Sequence, residues 1–87
     1  MIVWVEDRKF SGVYNAENLP QWNLHGQLKI NWNLWIETRP VYCDRGRYLA
    51  KTDAPLDAQE GFPRYYFDLE IAKRELQAWI DARKELR

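Results

Sequence analysis

The sequence predicts an α+β fold, an antiparallel β-meander of four to six short strands with one C-terminal α-helix packed across one face. Three observations carry that expectation. Residues 28–37 read Leu-Lys-Ile-Asn-Trp-Asn-Leu-Trp-Ile-Glu, with every even position apolar and every odd position except Trp35 polar, which is strand spacing. Elsewhere, short β-branched and aromatic runs are separated by Asn, Asp, Pro and Gly. After Asp68 the period changes: Leu69, Ala72, Leu76, Trp79 or Ile80, and the stem of Arg83 recur at steps of three and four, the apolar stripe of an amphipathic helix. With 87 residues the chain makes one domain, 1–87, mainly sheet over 1–67 with loops at 15–26 and 53–63, and helix over 68–86.

The elements follow in order. Ile2 to Val5 reads as a first strand, Glu6-Asp7-Arg8-Lys9 as a charged turn, and Phe10 to Tyr14 as the returning strand. From Asn15 to Gly26 the alternation fails, and Asn15, Asn18, Pro20, Asn23 and Gly26 mark a loop that carries Leu19, Trp22 and Leu24 inward as plugs. Residues 28–38 form either one strand, about 35 Å long at ~3.3 Å per residue, or a tight hairpin at Asn31-Trp32-Asn33. Pro40 ends or edges that strand, Val41 to Cys43 begins another, Asp44-Arg45-Gly46 turns, and Arg47 to Thr52 returns. Arg64 to Phe67 is a last short strand. Asp68 then stands as helix N-cap, with Glu70 well placed against the helix dipole. On the wet side of the helix the spacing pairs Glu70 with Arg74 and Asp81 with Lys84.

Composition excludes several classes of function. Thirteen Lys and Arg balance thirteen Asp and Glu, so bulk charge supports neither a strongly basic duplex binder nor an acidic mimic of DNA. Charge is local instead: residues 21–52 carry a net +3 and residues 53–63 a net −3. The acidic loop can fold back on the basic segment as an electrostatic clasp, stay solvated, or present its acids to a basic partner. One cysteine, Cys43, forms no intramolecular disulfide, which points to a reducing compartment, the cytoplasm. The apolar N-terminal run is interrupted at Glu6 and Asp7, too early for a signal sequence or a membrane span, so no membrane association is expected.

The residues of nucleophilic and metal chemistry are nearly missing. His25, Cys43 and Ser11 are each unique and sit in separate segments, without a nucleophile elbow to assemble them. One His and one Cys fall short of every zinc-ligand spacing, the glycines at 12, 26, 46 and 61 stand alone, and Asp53, Asp57, Glu60 and Asp68 read as ordinary solvated acids. The expectation is a protein that is not an enzyme and carries no cofactor.

One helix covers one side of such a sheet and leaves the other in water unless a partner covers it. If the even residues of 28–36 face the helix, alternation places Lys29, Trp35 and Arg39 on the opposite side, with Arg47, Lys51, Tyr42, Arg64 and Tyr66 as companions. That is a basic surface interleaved with aromatics. Trp, Tyr and Arg dominate binding energy at protein interfaces. Aromatics among cations also stack single-stranded bases. The plain alternative is an aromatic-rich small core with ordinary cations on its wet face.

The stretch Phe62-Pro63-Arg64-Tyr65-Tyr66-Phe67-Asp68-Leu69-Glu70-Ile71-Ala72-Lys73, continuing to Trp79, resembles the ending of small phage- and prophage-encoded accessory proteins, in which an aromatic strand enters an amphipathic helix through Phe-x-Leu-Glu-x-Ala-Lys. The resemblance covers about a quarter of the chain and transfers no binding residues. It implies a mobile-element protein that acts in the host cytoplasm by occupying the surface of a host protein, as anti-CRISPR and anti-restriction inhibitors do. The leading expectation is therefore a non-enzymatic protein-binding domain. The alternatives are a single-stranded nucleic-acid accessory protein and a homodimer formed through aromatic faces or a free sheet edge.

Overall fold

Residues 34–38, the best-patterned stretch of the sequence, lie at the centre of the molecule. A computed structural model describes residues 1–24, 26, 28–39 and 45–86. The described residues form seven strands, β1 (Val3–Glu6), β2 (Val13–Glu17), β3 (Trp22–Leu24), β4 (Leu28–Ile30), β5 (Leu34–Thr38), β6 (Tyr48–Thr52) and β7 (Arg64–Tyr66), followed by a single α-helix, α1 (Leu69–Asp81). Short 3-10 turns occupy Leu56–Ala58 and Lys84–Leu86. Five strands make one antiparallel sheet in the order β1-β2-β5-β6-β7, while β3 and β4 pair separately. The fold is thus α+β with one C-terminal helix, as the periodicities predict. The expected Val41–Cys43 strand, Tyr42 and His25 lie outside the described residues.

Residues 28–38 are neither one strand nor a hairpin. The chain changes sheet at Asn31–Asn33, because the polar residues there find local partners. Asn31 Oδ1 accepts from Gln21 Nε2 at 3.1 Å, and the Asn33 backbone and side-chain amides donate to the Asp53 carboxylate at 2.6 and 2.8 Å. Between them Trp32 turns inward and donates its indole N–H to the Pro20 carbonyl at 2.8 Å. The even-inward rule therefore holds at Trp32, Leu34 and Ile36 but fails at Leu28, which is exposed in β4.

The first hairpin is longer-looped than its composition suggests. Asp7 Oδ1 accepts from the amides of Lys9 and Phe10, Asp7 Oδ2 accepts from Asn15 Nδ2, and Glu6 Oε2 accepts from Gly12 N. These carboxylates satisfy the turn amides and delay the return strand to Val13. Gly12 closes the loop with φ +82°, and its carbonyl accepts from both the amide and the hydroxyl of Thr38. The strand residues Asn15–Glu17 and Trp22–Leu24 fall where a loop was expected, since pairing with β1, β5 and β4 outweighs the local turn signals.

Asp68 caps α1 as expected, its Oδ1 accepting from Glu70 N at 2.8 Å and Ile71 N at 3.1 Å, worth about 1 kcal/mol. The helix lies over β6 and β7 and buries Ala72, Leu76 and Ile80 against Leu34, Ile36 and Ala50. It stops at Asp81, short of the expected 86. The 3-10 turn that follows brings Leu86 back onto the core. Among the described residues Glu70 pairs with Lys73 at 3.6 Å, and Gln77 Nε2 donates to Asp81 at 2.9 Å, where the spacing predicts Glu70 with Arg74 and Asp81 with Lys84.

At the C-terminal end of α1 four rings meet. Trp22 and Trp32 stand edge to face with centroids 5.5 Å apart, Trp79 lies 6.3 and 5.9 Å from them, and Phe62 lies 5.1 Å from Trp79. Two guanidiniums cap the cluster: Arg83 sits 5.5 and 5.3 Å from the Trp22 and Trp79 centroids, and Arg64 sits 4.6 Å from Phe62.

Two measurements check this account. Trp22, only 3% exposed, is expected to cost about 3–5 kcal/mol on replacement by Ala, read by urea unfolding followed by circular dichroism. The Asp7 carboxyl is held below the ordinary aspartate range, chiefly by the Asn15 hydrogen bond and then by the Lys9 and Phe10 amides. A depressed folded-state pKa stabilises the turn at neutral pH, and that contribution is lost as pH falls through Asp7's own value. The Lys9 and Phe10 amide resonances should titrate together there, and in Asp7→Ala they should not.

Candidate interaction face

Register decides which side chains leave the sheet on the side away from α1. Residues opposite one another share a face, so the pairs Asn15–Trp35, Trp35–Lys51, Val13–Glu37, Glu37–Leu49 and Leu49–Tyr65 define a single surface. Arg39 joins it two residues after Glu37, and Arg47 joins opposite Arg39, whose amide donates to the Arg47 carbonyl. On β1 the same face carries Val3 and Val5, opposite Glu17 and Asn15.

The centre of this face is Glu37. Its Oε2 accepts from the Trp35 indole N–H at 2.9 Å and lies 3.2 Å from Lys51 Nζ, and its Oε1 lies 3.3 Å from an Arg39 guanidinium nitrogen. Partial burial raises its pKa, but the Trp35 and Lys51 hydrogen bonds and the charges of Lys51 and Arg39 outweigh that, leaving the carboxyl below the usual glutamate range. One carboxylate thus fixes a tryptophan and two cations in place. Beneath them Leu49 is 2% exposed yet stands apart from the helix-side core, so the long side chains of the open face shield it from water. At the β7 end the Arg45 guanidinium lies 5.7 Å from the Tyr65 ring centroid. Where β5 and β6 meet the segment leading into β7, a depression of about 200 Å³ opens between Trp35, Lys51, Gln59, Phe62 and Pro63.

Trp35, Arg39, Arg47 and Lys51 come together on the open face. Three expected members do not. Lys29 belongs to β4 in the small second sheet, because the chain joins the main sheet only after Asn31–Asn33. Arg64 pairs with Ala50 and Tyr66 with Tyr48, so both project to the helix side, where Arg64 covers Phe62 and Tyr66 packs on the core. A shift of one residue in β7 reverses its faces, and Tyr65 takes the place assigned to its neighbours. Tyr42 lies outside the described residues. Glu37, which the aromatic and basic pattern does not single out, shares the parity of Trp35 and Arg39, so alternation alone places it on this face. The alternation of β1, with Trp4 inward, likewise assigns Val3 and Val5 to the open side.

The acidic loop clasps the sheet by hydrogen bonds, not ion pairs. Asp53 holds Asn33, while Asp57 and Glu60 are exposed and make no ion pair among the described residues. Among the described residues no group of three His, Cys, Asp or Glu is placed to hold a metal ion. No described helix is long and apolar enough to cross a membrane. The chain matches no protein-family model, and no curated protein or solved structure is significantly similar to it.

Replacing Glu37 by Gln keeps an acceptor for Trp35 and removes both ion pairs. Because the pairs are partly solvated, the expected loss is below about 1 kcal/mol at neutral pH. The wild-type advantage should vanish as pH falls through Glu37's lowered pKa, so urea unfolding of the two proteins should converge in acid.

Proposed function

We propose that this protein is a non-enzymatic binding protein that engages a partner protein through the open face of its sheet. The observation that supports this reading most is the group Trp35, Glu37, Arg39 and Lys51, in which large-area and planar-donor side chains are already held in one arrangement on a solvent-facing sheet. Ordering such side chains in advance lowers the entropy lost on association. A mixed-sign surface favours a protein partner over nucleic acid, since Glu37 lies between the cations that a phosphate backbone would approach. The resemblance of residues 62–79 to phage accessory proteins extends the proposal: the partner is a host protein, bound in the host cytoplasm, and binding blocks its surface, as inhibitors of bacterial defence do.

Affinity capture from bacterial lysate, followed by calorimetry with the recovered protein, tests this. The wild type should form a stoichiometric complex, and the Trp35→Ala, Arg39→Ala double variant should lose at least tenfold in affinity, about 1.4 kcal/mol, while keeping its far-ultraviolet spectrum. Equal binding by both proteins rejects this face. A patch that serves only to cover Leu49 would show a drop in stability with no change in capture. Binding to oligo-dT that weakens steeply with salt would favour the nucleic-acid alternative.

A further inference from the structure

Among the described residues, β1 ends the five-stranded sheet with one side unpaired. Natural edge strands are blunted by Pro, Lys, bulges or brevity. The β7 edge is three residues long and enclosed between Pro63 and the Asp68 cap. β1, by contrast, reads Val-Trp-Val-Glu and carries neither Pro nor Lys. Its backbone phase follows from its bonds. Val3 N donates to Asn18 and Asp7 N donates to Val13 O, so the amides of Val3, Val5 and Asp7 turn toward β2 and those of Ile2, Trp4 and Glu6 turn outward. Ile2 N is already donated to Gln77 Oε1 at 2.7 Å, leaving the outward groups of Trp4 and Glu6 for another strand.

Both faces of this edge are under-covered as well. On one face Val3 is 50% and Val5 43% exposed. On the other, a groove of about 520 Å³ runs between β1 and α1, its floor formed by Ile2 and Trp4 and its helix wall carrying both signs of charge, Lys73 and Arg74 beside Glu70 and Asp81. A strand added here must therefore be apolar on the valine side and must offer outward amides and carbonyls at alternate residues, and β1 itself meets both conditions.

We propose that the occupant is the β1 strand of a second copy, paired antiparallel about a two-fold axis at Val5. In this register Trp4 lies opposite the partner's Glu6 and Glu6 opposite the partner's Trp4, and each pair exchanges both of its N–H···O bonds. The bond from Ile2 to Gln77 is left intact. A two-fold axis at Trp4 would instead require the Ile2 amide that Gln77 holds. Val5 meets its own copy at the closely spaced, non-hydrogen-bonded site, burying the exposed valines. Each Glu6 side chain, its Oε2 accepting from the Gly12 amide of its own chain, stands on the helix side opposite the other subunit's Trp4. The contact is isologous and closed, giving a dimer with one continuous ten-stranded sheet.

Sedimentation equilibrium on the full chain should show twice the 10.5 kDa chain mass, and hydrogen exchange should protect the Trp4 and Glu6 amides in proportion to dimer content. Val5→Lys places two ammonium groups together on the axis and should yield a folded monomer with both amides unprotected. Val13→Lys, on the same face but away from the edge, should remain dimeric. A wild type that stays monomeric up to about 1 mM overturns the proposal. So does a dimer in which the Trp4 and Glu6 amides exchange freely, a readout that stands even if the Val5 variant fails to fold. Loss of partner capture in the Trp35, Arg39 variant with the dimer retained separates this edge from the open face.

Discussion

The contact on which the arrangement depends is the ring cluster of Trp22, Trp32, Phe62 and Trp79. A helix of 13 residues is about 20 Å long but only about 10 Å across, so it covers a band of the five-stranded sheet and leaves the rest of that face to other side chains. It seals the β6–β7 side of its face with Ala72, Leu76 and Ile80. Its far end is sealed by indoles from the β3–β4 hairpin and the turn at Trp32, which is why the chain leaves the main sheet after Glu17 and rejoins it only at Leu34. Arg83 and Arg64 complete this seal with their planar faces, so two of the chain's cations serve the interior boundary and not the open surface. A small chain that lacks enough aliphatic residues for a second layer uses aromatic area to the same end.

That use of tryptophan changes how the remaining one is understood. Three of the five indoles are consumed by the cluster, and Trp4 leans into the groove beside α1, leaving Trp35 alone on the uncovered side. The abundance of tryptophan therefore says little about binding, while the placement of Trp35 says more. Glu37 does not merely neutralise Lys51 and Arg39; by accepting the Trp35 indole N–H it fixes the ring's orientation as well. Removing that carboxylate would leave three long side chains to sample rotamers separately, at an entropic cost to anything that had to bind them in one pose.

What was legible in the sequence was whatever depended on local chemistry. Asp68 as N-cap, the stripe Ala72–Leu76–Ile80 and the facing of Leu34, Ile36, Trp35 and Lys51 all follow from spacing alone. What was not legible depended on partners distant in sequence. Asn31 and Asn33 look like turn residues of a hairpin, and only Gln21 and Asp53 reveal that they mark a change of sheet. The face of β7 could not be set by alternation, because Arg64-Tyr65-Tyr66-Phe67 is aromatic on both parities. Gly46 helps fix its position: a Cβ there would meet the Tyr66 carbonyl oxygen at 2.5 Å, so the backbone of β7's end lies against a residue that must be glycine. Asn18 shows the same dependence, since its φ of 53° is explained by the bonds its side chain makes with Val3 and Met1 at the start of the chain.

The edge and the open face are separate features that share one consequence. Val3 and Val5 lie on the same side of the sheet as Trp35 and Glu37, with β2 between them. Pairing two copies through β1 would therefore join two open faces across a strip of valines, and each Trp35 group would sit the same distance from the axis. A partner that engaged one group would meet an identical one related by the two-fold, so a dimeric or repetitive target would be bound bivalently, with the second contact made at the effective concentration set by a rigid sheet instead of a flexible linker. A monomeric target would be bound twice, independently. Stoichiometry and avidity would then be properties of the β1 edge, and specificity a property of the side chains that Glu37 organises. In that division of roles two half-exposed valines would determine how many partners are held, and the aromatic and cationic residues would determine which.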